Sequence, residues 1–180
     1  GQPLHKLLGG CRESVPIYGS GGFTTYSMSQ LLGQLQGWVA SGVPRVKMKI
    51  GTDWGRSWRV DVVRIDAVRK AIGDDTELFV DANGGYSRKQ ARRLGLQFAT
   101  ELGVSWFEEP VSSDDTEALG LLRLALQCDV TAGEYVSDSY DAARLVPVVD
   151  CLQLDATRCG GYTGFRRAAT IASVHNLQVS

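Results

Sequence analysis

The sequence predicts an α/β fold of the (β/α)₈-barrel type, and two observations support this. Apolar, strand-like runs alternate along the chain with amphipathic helical segments, a pattern typical of a parallel sheet covered by helices. Charged side chains end five of those runs at nearly even intervals, close to the ~30 residues of one strand-plus-helix unit. They are Lys49, Asp81, Glu108, Glu134 and Asp155. Because barrel enzymes build their active sites where the strands end, the same pattern predicts a catalytic rim.

The first part of the chain supplies two strands and two helices. Residues 1–14 are turn-rich and predict the end of a preceding element, whereas 15–180 predict a partial barrel. A glycine-broken β-type run predicts the first strand over 15–23, and apolar residues at helical spacing predict a helix over 29–40. The run RVKMKI predicts the second strand over 45–50. A long amphipathic helix over 57–72 then stops at Gly73.

The remaining units repeat this order. Pro110 ends the fourth strand, because proline has no N–H to donate to a ladder. Strands are predicted over 77–82, 104–109, 128–134 and 151–156, with a further strand beginning at 177–180. Helices are predicted between them over 88–102, 115–126, 140–146 and 163–174.

Length and composition limit the function classes. A complete barrel usually needs ~250 residues, so the 180 residues predict an incomplete one with about strands one to seven. A net charge of −1 gives no basis for binding nucleic acid or an anionic membrane, and no apolar run is long enough to span one. The four cysteines have no metal-site spacing, which predicts reduced thiols in a cytoplasmic protein.

Three carboxylates at consecutive strand ends predict a site for a hard divalent cation. Asp81, Glu108 and Glu134 offer oxygen ligands of the kind that Mg²⁺ prefers. Each acid alone is equally compatible with a solvated loop residue or a helix N-cap. Glu109 follows Glu108 directly, so strand alternation predicts that it faces away, in a salt bridge or a supporting role.

Two lysines on the second strand predict a general base. Lys47 and Lys49 are two residues apart and therefore point to the same face, while Met48 points to the other. Burial and a like-charged neighbour would each lower the pKa of an ammonium group, as a lysine base requires. The alternative, two lysines on an exposed edge strand, is common in β-sandwiches.

Asp155 is a weaker candidate, equally compatible with an ordinary loop residue. An aspartate at this strand end could orient a histidine on the next strand as a second acid/base unit. His175 lies in a helix-to-strand connection, and His5 lies outside the strand pattern, so neither fits that role. The chain also lacks a dinucleotide fingerprint, a P-loop and a GxSxG motif.

Five segments together resemble the enolase superfamily, in its mandelate racemase/muconate lactonizing enzyme family. They are Lys47–Lys49, Val80–Asn83, Trp106–Pro110, Gly133–Glu134 and Asp155–Gly161. The resemblance implies Mg²⁺ held by Asp81, Glu108 and Glu134. It also implies that Lys49 removes the proton α to a carboxylate, assisted by Lys47, and that Asn83 and Ser20 contact the substrate. Asp155 would point to the mandelate-racemase-like subgroup, which uses an Asp–His pair.

For the family, the resemblance implies Mg²⁺-dependent proton abstraction with enediolate stabilisation, most simply in a sugar-acid dehydratase. A racemase or epimerase of a 2-hydroxy acid uses the same groups. A third alternative is a non-catalytic partial barrel that binds metal or self-associates. The seventh-strand histidine, the eighth strand and an N-terminal capping domain are not in this sequence. The partners expected are therefore a small carboxylate substrate and, through the open sheet edges, further copies of the chain.

Overall fold

The computed structural model describes residues 1–10 and 12–180; Cys11, one of the four cysteines, lies outside them. Strands and helices alternate along the described chain, as the sequence predicts. The strands are β1 Gly19–Gly21, β2 Arg45–Lys49, β3 Glu77–Asp81, β4 Val104–Glu108, β5 Asp129–Ala132, β6 Cys151–Leu152 and β7 Gln178–Val179. The helices are α1 Leu4–Leu7, α2 Met28–Ala40, α3 Trp58–Ile72, α4 Arg88–Glu101, α5 Thr116–Ala125, α6 Ser139–Leu145 and α7 Gly161–Val174, with a 3₁₀ turn at Val146–Val148.

The seven strands form one parallel sheet in the order β1 to β7, so each strand pairs with the next along the chain. The sheet is curled, and its two edges approach each other. The hydroxyl of Tyr18 beside β1 lies 3.4 Å from the hydroxyl of Ser180 after β7. This is a partial barrel of seven strands, and the predicted fold class is confirmed. The division into an element over 1–14 and a barrel over 15–180 stays a prediction.

The main core lies between the outer face of the sheet and the surrounding helices. Outward-facing strand residues meet apolar helix residues there, and all are fully buried: Val46, Met48, Leu78, Val80, Phe107, Val130, Ile65, Leu94, Phe98 and Leu119. Capping boxes start two of the helices, with Ser27 and Gln30 at α2 and with Ser87 and Gln90 at α4. The helix boundaries agree with the sequence predictions to within about two residues.

The first strand is much shorter than the predicted run over 15–23. Trp38 of α2 lies directly against Gly19 and Gly21, and a Cβ at either glycine would collide with its ring. The glycines therefore allow the helix to pack closely on the sheet. Because glycine has no side chain to pack, it also weakens the strand.

No helix in the described parts of the chain is long and apolar enough to cross a membrane. Three of the four cysteines are described, and Cys128, Cys151 and Cys159 are buried free thiols. Burial raises the pKa of both Cys128 and Cys151 to about 12, so these thiols are unreactive packing groups.

Candidate active site

The strand register aligns the charged residues in one row at the carboxyl edge of the sheet. Lys49 on β2 pairs in register with Asp81 on β3, and Asp81 pairs with Glu108 on β4. Residues in register on neighbouring strands point to the same face, which here is the inside of the curled sheet. The row is therefore a property of the backbone pairing.

Both lysines of β2 point inward, as predicted, while Met48 between them is buried under the helices. Lys47 is 5% exposed, its ammonium contacts Glu108, and its Nζ lies 3.9 Å from Asp81 Oδ2. The Lys49 ammonium forms an ion pair with Asp81 and remains partly exposed. The edge-strand alternative therefore fails. β2 lies between β1 and β3, and both of its lysines face buried acids on β3 and β4.

The prediction that burial lowers the pKa of these lysines is wrong for Lys47. Burial does lower it, but attraction to Glu108, Tyr18 and Asp81 outweighs burial, and the pKa of Lys47 is raised. The sequence shows that the two lysines are neighbours on one strand face. It does not show that the carboxylates of Asp81 and Glu108 lie against the Lys47 ammonium. The buried carboxylates around Lys47 therefore favour its charged form.

Asp81 and Glu108 are almost completely buried at the centre of the row. Burial, followed by repulsion from Asp81, raises the pKa of Glu108 to about 7, although Lys47 opposes the shift. Negative charge is thus more concentrated here than the lysines can balance.

The sequence predicts that Glu109 faces away from Glu108, in a salt bridge or a supporting role; the strand alternation behind this prediction does not hold, and the supporting role stays a prediction. β4 ends at Glu108, and Glu109 adopts a left-handed φ of 39°, so strand alternation no longer applies to it. Its side chain is 2% exposed, and among the described residues it has no salt-bridge partner and its Oε1 has no hydrogen-bond partner. Burial, then repulsion from Glu134 and Asp81, raises its pKa to about 8, which places its carboxyl among the other acids. The only hint in the sequence is the proline that follows, which ends the strand.

Glu134 lies beyond the end of β5 and is half-buried. Gly133 before it has a φ of 132° and approaches the backbone of Gln153 so closely that a Cβ would clash. Arg158 Nη1 donates to the Glu134 carbonyl at 3.2 Å, which fixes this loop to the loop after β6. The glycine and the arginine together set the direction of the Glu134 carboxylate.

Asn83 links two of the predicted ligands. Its backbone N–H donates to Asp81 Oδ1 at 2.8 Å, and its Nδ2 donates to Glu134 Oε1 at 3.2 Å. The side chain is exposed on the carboxyl side of the sheet, where a substrate could reach it. Ser20 pairs in register with Lys47 and is exposed on β1.

Asp155 makes only local contacts within the described residues. Its Oδ1 accepts from the Thr157 N–H at 2.7 Å and from the Thr157 hydroxyl at 2.6 Å. These bonds, with a further contribution from Arg158, lower its pKa. The predicted orientation of a histidine by Asp155 stays a prediction.

The donor set has the chemistry of a hard-cation site. In the described ranges, no group of three or more His, Cys, Asp and Glu residues is already arranged around a single point. Lysine ammonium groups occupy Asp81 and Glu108, and the Asn83 amide occupies Glu134. A divalent cation nevertheless fits these residues, because it would balance the crowded carboxylates and offer a partner to the unpaired oxygen of Glu109. The assignment of Asp81, Glu108 and Glu134 as ligands stays a prediction.

A cavity of about 530 Å³ opens beside this row, above the ends of β2 and β3. Lys49 and Asn83 form part of its wall, so the one partly exposed ammonium of the row faces space that a small molecule could fill.

Known proteins are similar to this chain in both sequence and fold. A family model for enolase C-terminal domain-like proteins matches residues 30–180. The L-talarate/galactarate dehydratase of Salmonella typhimurium is 33% identical over 183 residues, which are 100% of this chain and 45% of the dehydratase. Further curated relatives are a cycloisomerase, a racemase and an epimerase. The chain spans about half the length of the curated relatives it matches.

Two solved structures extend the comparison. A mandelate racemase/muconate lactonizing enzyme-like protein of Rubrobacter xylanophilus is 48% identical with a TM-score of 0.87, over 92% of this chain and 45% of that one. An L-talarate dehydratase of Polaromonas sp. JS666, solved with Mg and L-glucarate, is 33% identical with a TM-score of 0.88, over 98% and 49%. Since the family model covers most of the chain and these structures share its fold, the chain belongs to the family of enolase C-terminal domain-like proteins.

Proposed function

We propose that this chain carries the catalytic rim of a Mg²⁺-dependent enzyme that removes the proton α to a carboxylate, and that the enzyme is a sugar-acid dehydratase. The observation that carries the proposal is the register of Lys49, Asp81 and Glu108. It aligns a lysine with two buried carboxylates beside a cavity. A base next to a cation site is the arrangement that α-proton abstraction needs.

Asp81, Glu108 and Glu134 would hold the metal. When bound, Mg²⁺ supplies positive charge that lowers the energy of the enediolate form of a carboxylate substrate. Asn83 supports this set from the side, because it already donates to both Asp81 and Glu134. Glu109 would add negative charge near the ligands, and its Oε1, which has no partner among the described residues, could accept a hydrogen bond there.

Lys49 would be the base. Its ammonium is partly exposed and lies on the cavity wall, whereas Lys47 is buried against Glu108. A substrate held in the cavity can therefore reach Lys49 directly. Lys47 would act as a positioning residue that holds the Glu108 carboxylate in place.

Asp155 would orient a histidine that returns a proton or assists departure of the β-hydroxyl. A racemase or epimerase is the second candidate, because relatives with those activities match nearly the whole chain. The two activities differ in what happens after proton abstraction. A dehydratase expels water, whereas a racemase returns the proton to the opposite face.

The test is a mass-spectrometric screen of pooled sugar acids with the protein and Mg²⁺ in D₂O. Loss of water from an acid supports the dehydratase, and a one-dalton gain without loss supports the racemase. Lys49→Ala should abolish either change while leaving Mg²⁺ affinity nearly unaltered. Lys70→Ala is the matched control, because Lys70 is an exposed lysine on α3 that pairs with the nearby Asp66. Unchanged exchange in Lys49→Ala would refute the role of Lys49.

A further inference from the structure

The loop between β2 and α3 presents a tryptophan that the fold does not explain. Trp54 is 77% exposed, so it contributes little to the core. Its backbone φ is 53°, and that of Asp53 is 54°. The left-handed region is unfavourable for a bulky residue, and such strain persists only where surrounding structure enforces it. Exposure and strain together indicate that Trp54 serves a contact outside the fold.

Buried hydrogen bonds hold this loop on both sides of Trp54. Asp61, which is fully buried, accepts from the Gly51 N–H at 3.2 Å and from the Thr52 hydroxyl at 2.6 Å. On the other side, Gln90 Nε2 donates to the Gly55 carbonyl at 3.1 Å. The backbone on both sides of Trp54 is therefore held in place, and Trp54 forms part of the cavity wall.

Phe23 supplies a second exposed aromatic ring among the residues that line the cavity, at 48% exposure. The buried guanidinium of Arg64 donates to the carbonyls of Phe23 and Tyr26, both at 2.8 Å, and so fixes the loop that carries the ring. The cavity thus has two anchored aromatic walls next to Lys49. Such walls suit the C–H faces of a carbon chain or ring.

The charges around the cavity disfavour a second carboxylate. Among the described lining residues, Lys49 is the one cation, and in the proposed function it is the base at the reacting end of the substrate. Asp53 adds a negative charge to the wall, and the nearby Arg56 pairs with Asp53 at 2.8 Å. A distal carboxylate placed here would lose water without gaining a cationic partner, which is unfavourable.

We propose that this cavity is the subsite for the distal end of the substrate and that it selects monocarboxylate sugar acids with an uncharged tail over dicarboxylates. The inference rests on the proposed function for the position of the reacting carboxylate. Trp54 and Phe23 receive the carbon chain, and the lack of a free cation rejects a second carboxylate. Trp54 is thus a specificity-determining residue.

The test is a calorimetric titration of the protein in Mg²⁺ with D-gluconate and with D-glucarate, which differ only in the group at the distal carbon. Gluconate should bind at least about tenfold more tightly than glucarate. Trp54→Ala should weaken gluconate by about tenfold or more, and Trp54→Phe should recover most of the affinity. Tyr140→Ala, which removes an 83% exposed aromatic residue from α6, should change nothing.

A charge insertion tests the second half of the inference. Thr24 lies on the cavity wall, so Thr24→Lys should strengthen glucarate by about tenfold and leave gluconate within about twofold. Equal or tighter binding of glucarate by the unmodified protein would overturn the inference. So would binding of neither acid. A Trp54→Ala variant that unfolds earlier yet keeps its gluconate affinity would show that Trp54 packs against protein, and would also overturn it.

Deuterium exchange at the α carbon separates this inference from the proposed function. Tighter binding of gluconate without deuterium exchange on any acid would support the subsite and contradict the proposed chemistry. Deuterium exchange together with tighter binding of glucarate would support the proposed chemistry and contradict the subsite.

Discussion

Two layers on the inner face of the same strands differ completely in chemistry. Two residues before the charged row, Phe79 on β3 and Trp106 on β4 stack with ring centroids 5.0 Å apart, and Tyr18 and Cys151 pack around them. Two residues further along the same strands, at the same orientation, stand Asp81 and Glu108. The lower layer is an apolar filling apart from Lys47, which lies in register with Phe79 and extends its ammonium to Glu108, whereas the upper layer buries opposed charges.

The difference teaches that the charges are not a consequence of the fold. The lower layer shows that apolar side chains can fill this interior, and buried ion pairs add little stability compared with apolar residues of similar size. Four acids and two lysines that lie at or near the carboxyl edge therefore point to a function there. Removing residues from each layer should then have different consequences.

The largest effect is expected from Lys47→Met, which removes the buried cation and keeps the side-chain volume. Asp81 and Glu108 would then lack the Lys47 charge in a buried position, which should lower the free energy of unfolding by about 3–5 kcal/mol. Denaturant unfolding without Mg²⁺ measures this. The double variant Lys47→Met/Glu108→Gln should recover part of the loss, and Lys70→Met is the surface control. A loss under about 1 kcal/mol would mean that the upper layer is not electrostatically coupled.

A slightly smaller loss is expected from Phe79→Ala in the lower layer. Truncation of a ring that is 5% exposed and stacked on Trp106 should lower the free energy of unfolding by about 3 kcal/mol. Affinity for Mg²⁺, measured by calorimetry on the folded variant, should not change. A Phe79→Ala protein with weakened Mg²⁺ binding would show that the two layers are not independent.

The pH dependence of the free energy of unfolding should report on the buried acids of the upper layer without any substitution. The raised pKa values of Glu108, about 7, and Glu109, about 8, mean that the folded state holds protons that the unfolded state has released above about pH 4.5. Stability should therefore fall as pH rises from about 5 to 8, by up to about 1.4 kcal/mol per pH unit for each group.

Glu109→Gln should remove part of this slope, and Mg²⁺ should flatten it, because a bound cation favours the ionised carboxyls. Glu117→Gln on exposed α5 should leave the slope unchanged. Thermal unfolding over a series of pH values would measure the effect. Stability that rises with pH over this range would contradict the assigned burial of Glu109.

The smallest effect is expected from Asp155→Asn. Among the described residues, the Asp155 side chain contacts its own loop, through Thr157 and Arg158, and lies outside both layers. The unfolding temperature should therefore stay within about 2 °C of the unmodified protein. A larger drop would show that Asp155 belongs to the buried network.

Sequence patterns predicted the parts of this molecule that depend on periodicity. Alternation along β2 placed Lys47 and Lys49 on one face, and helical spacing gave α3 its boundaries, because both follow from regular backbone geometry. The orientation of Glu109 depends on a single left-handed φ after a strand end, which periodicity does not encode. The raised pKa of Lys47 depends on how closely neighbouring strands bring their acids. Both are properties of the packed fold.

A calorimetric Mg²⁺ titration of the unmodified protein and Glu134→Ala tests most directly whether the upper layer is a cation site. Glu134 is half-buried at a strand end, so its removal should leave the fold intact. We expect one Mg²⁺ site in the unmodified protein, with an affinity at least about tenfold weaker in Glu134→Ala and unchanged in Glu117→Ala. Absence of Mg²⁺ binding, or equal affinity in Glu134→Ala, would contradict it.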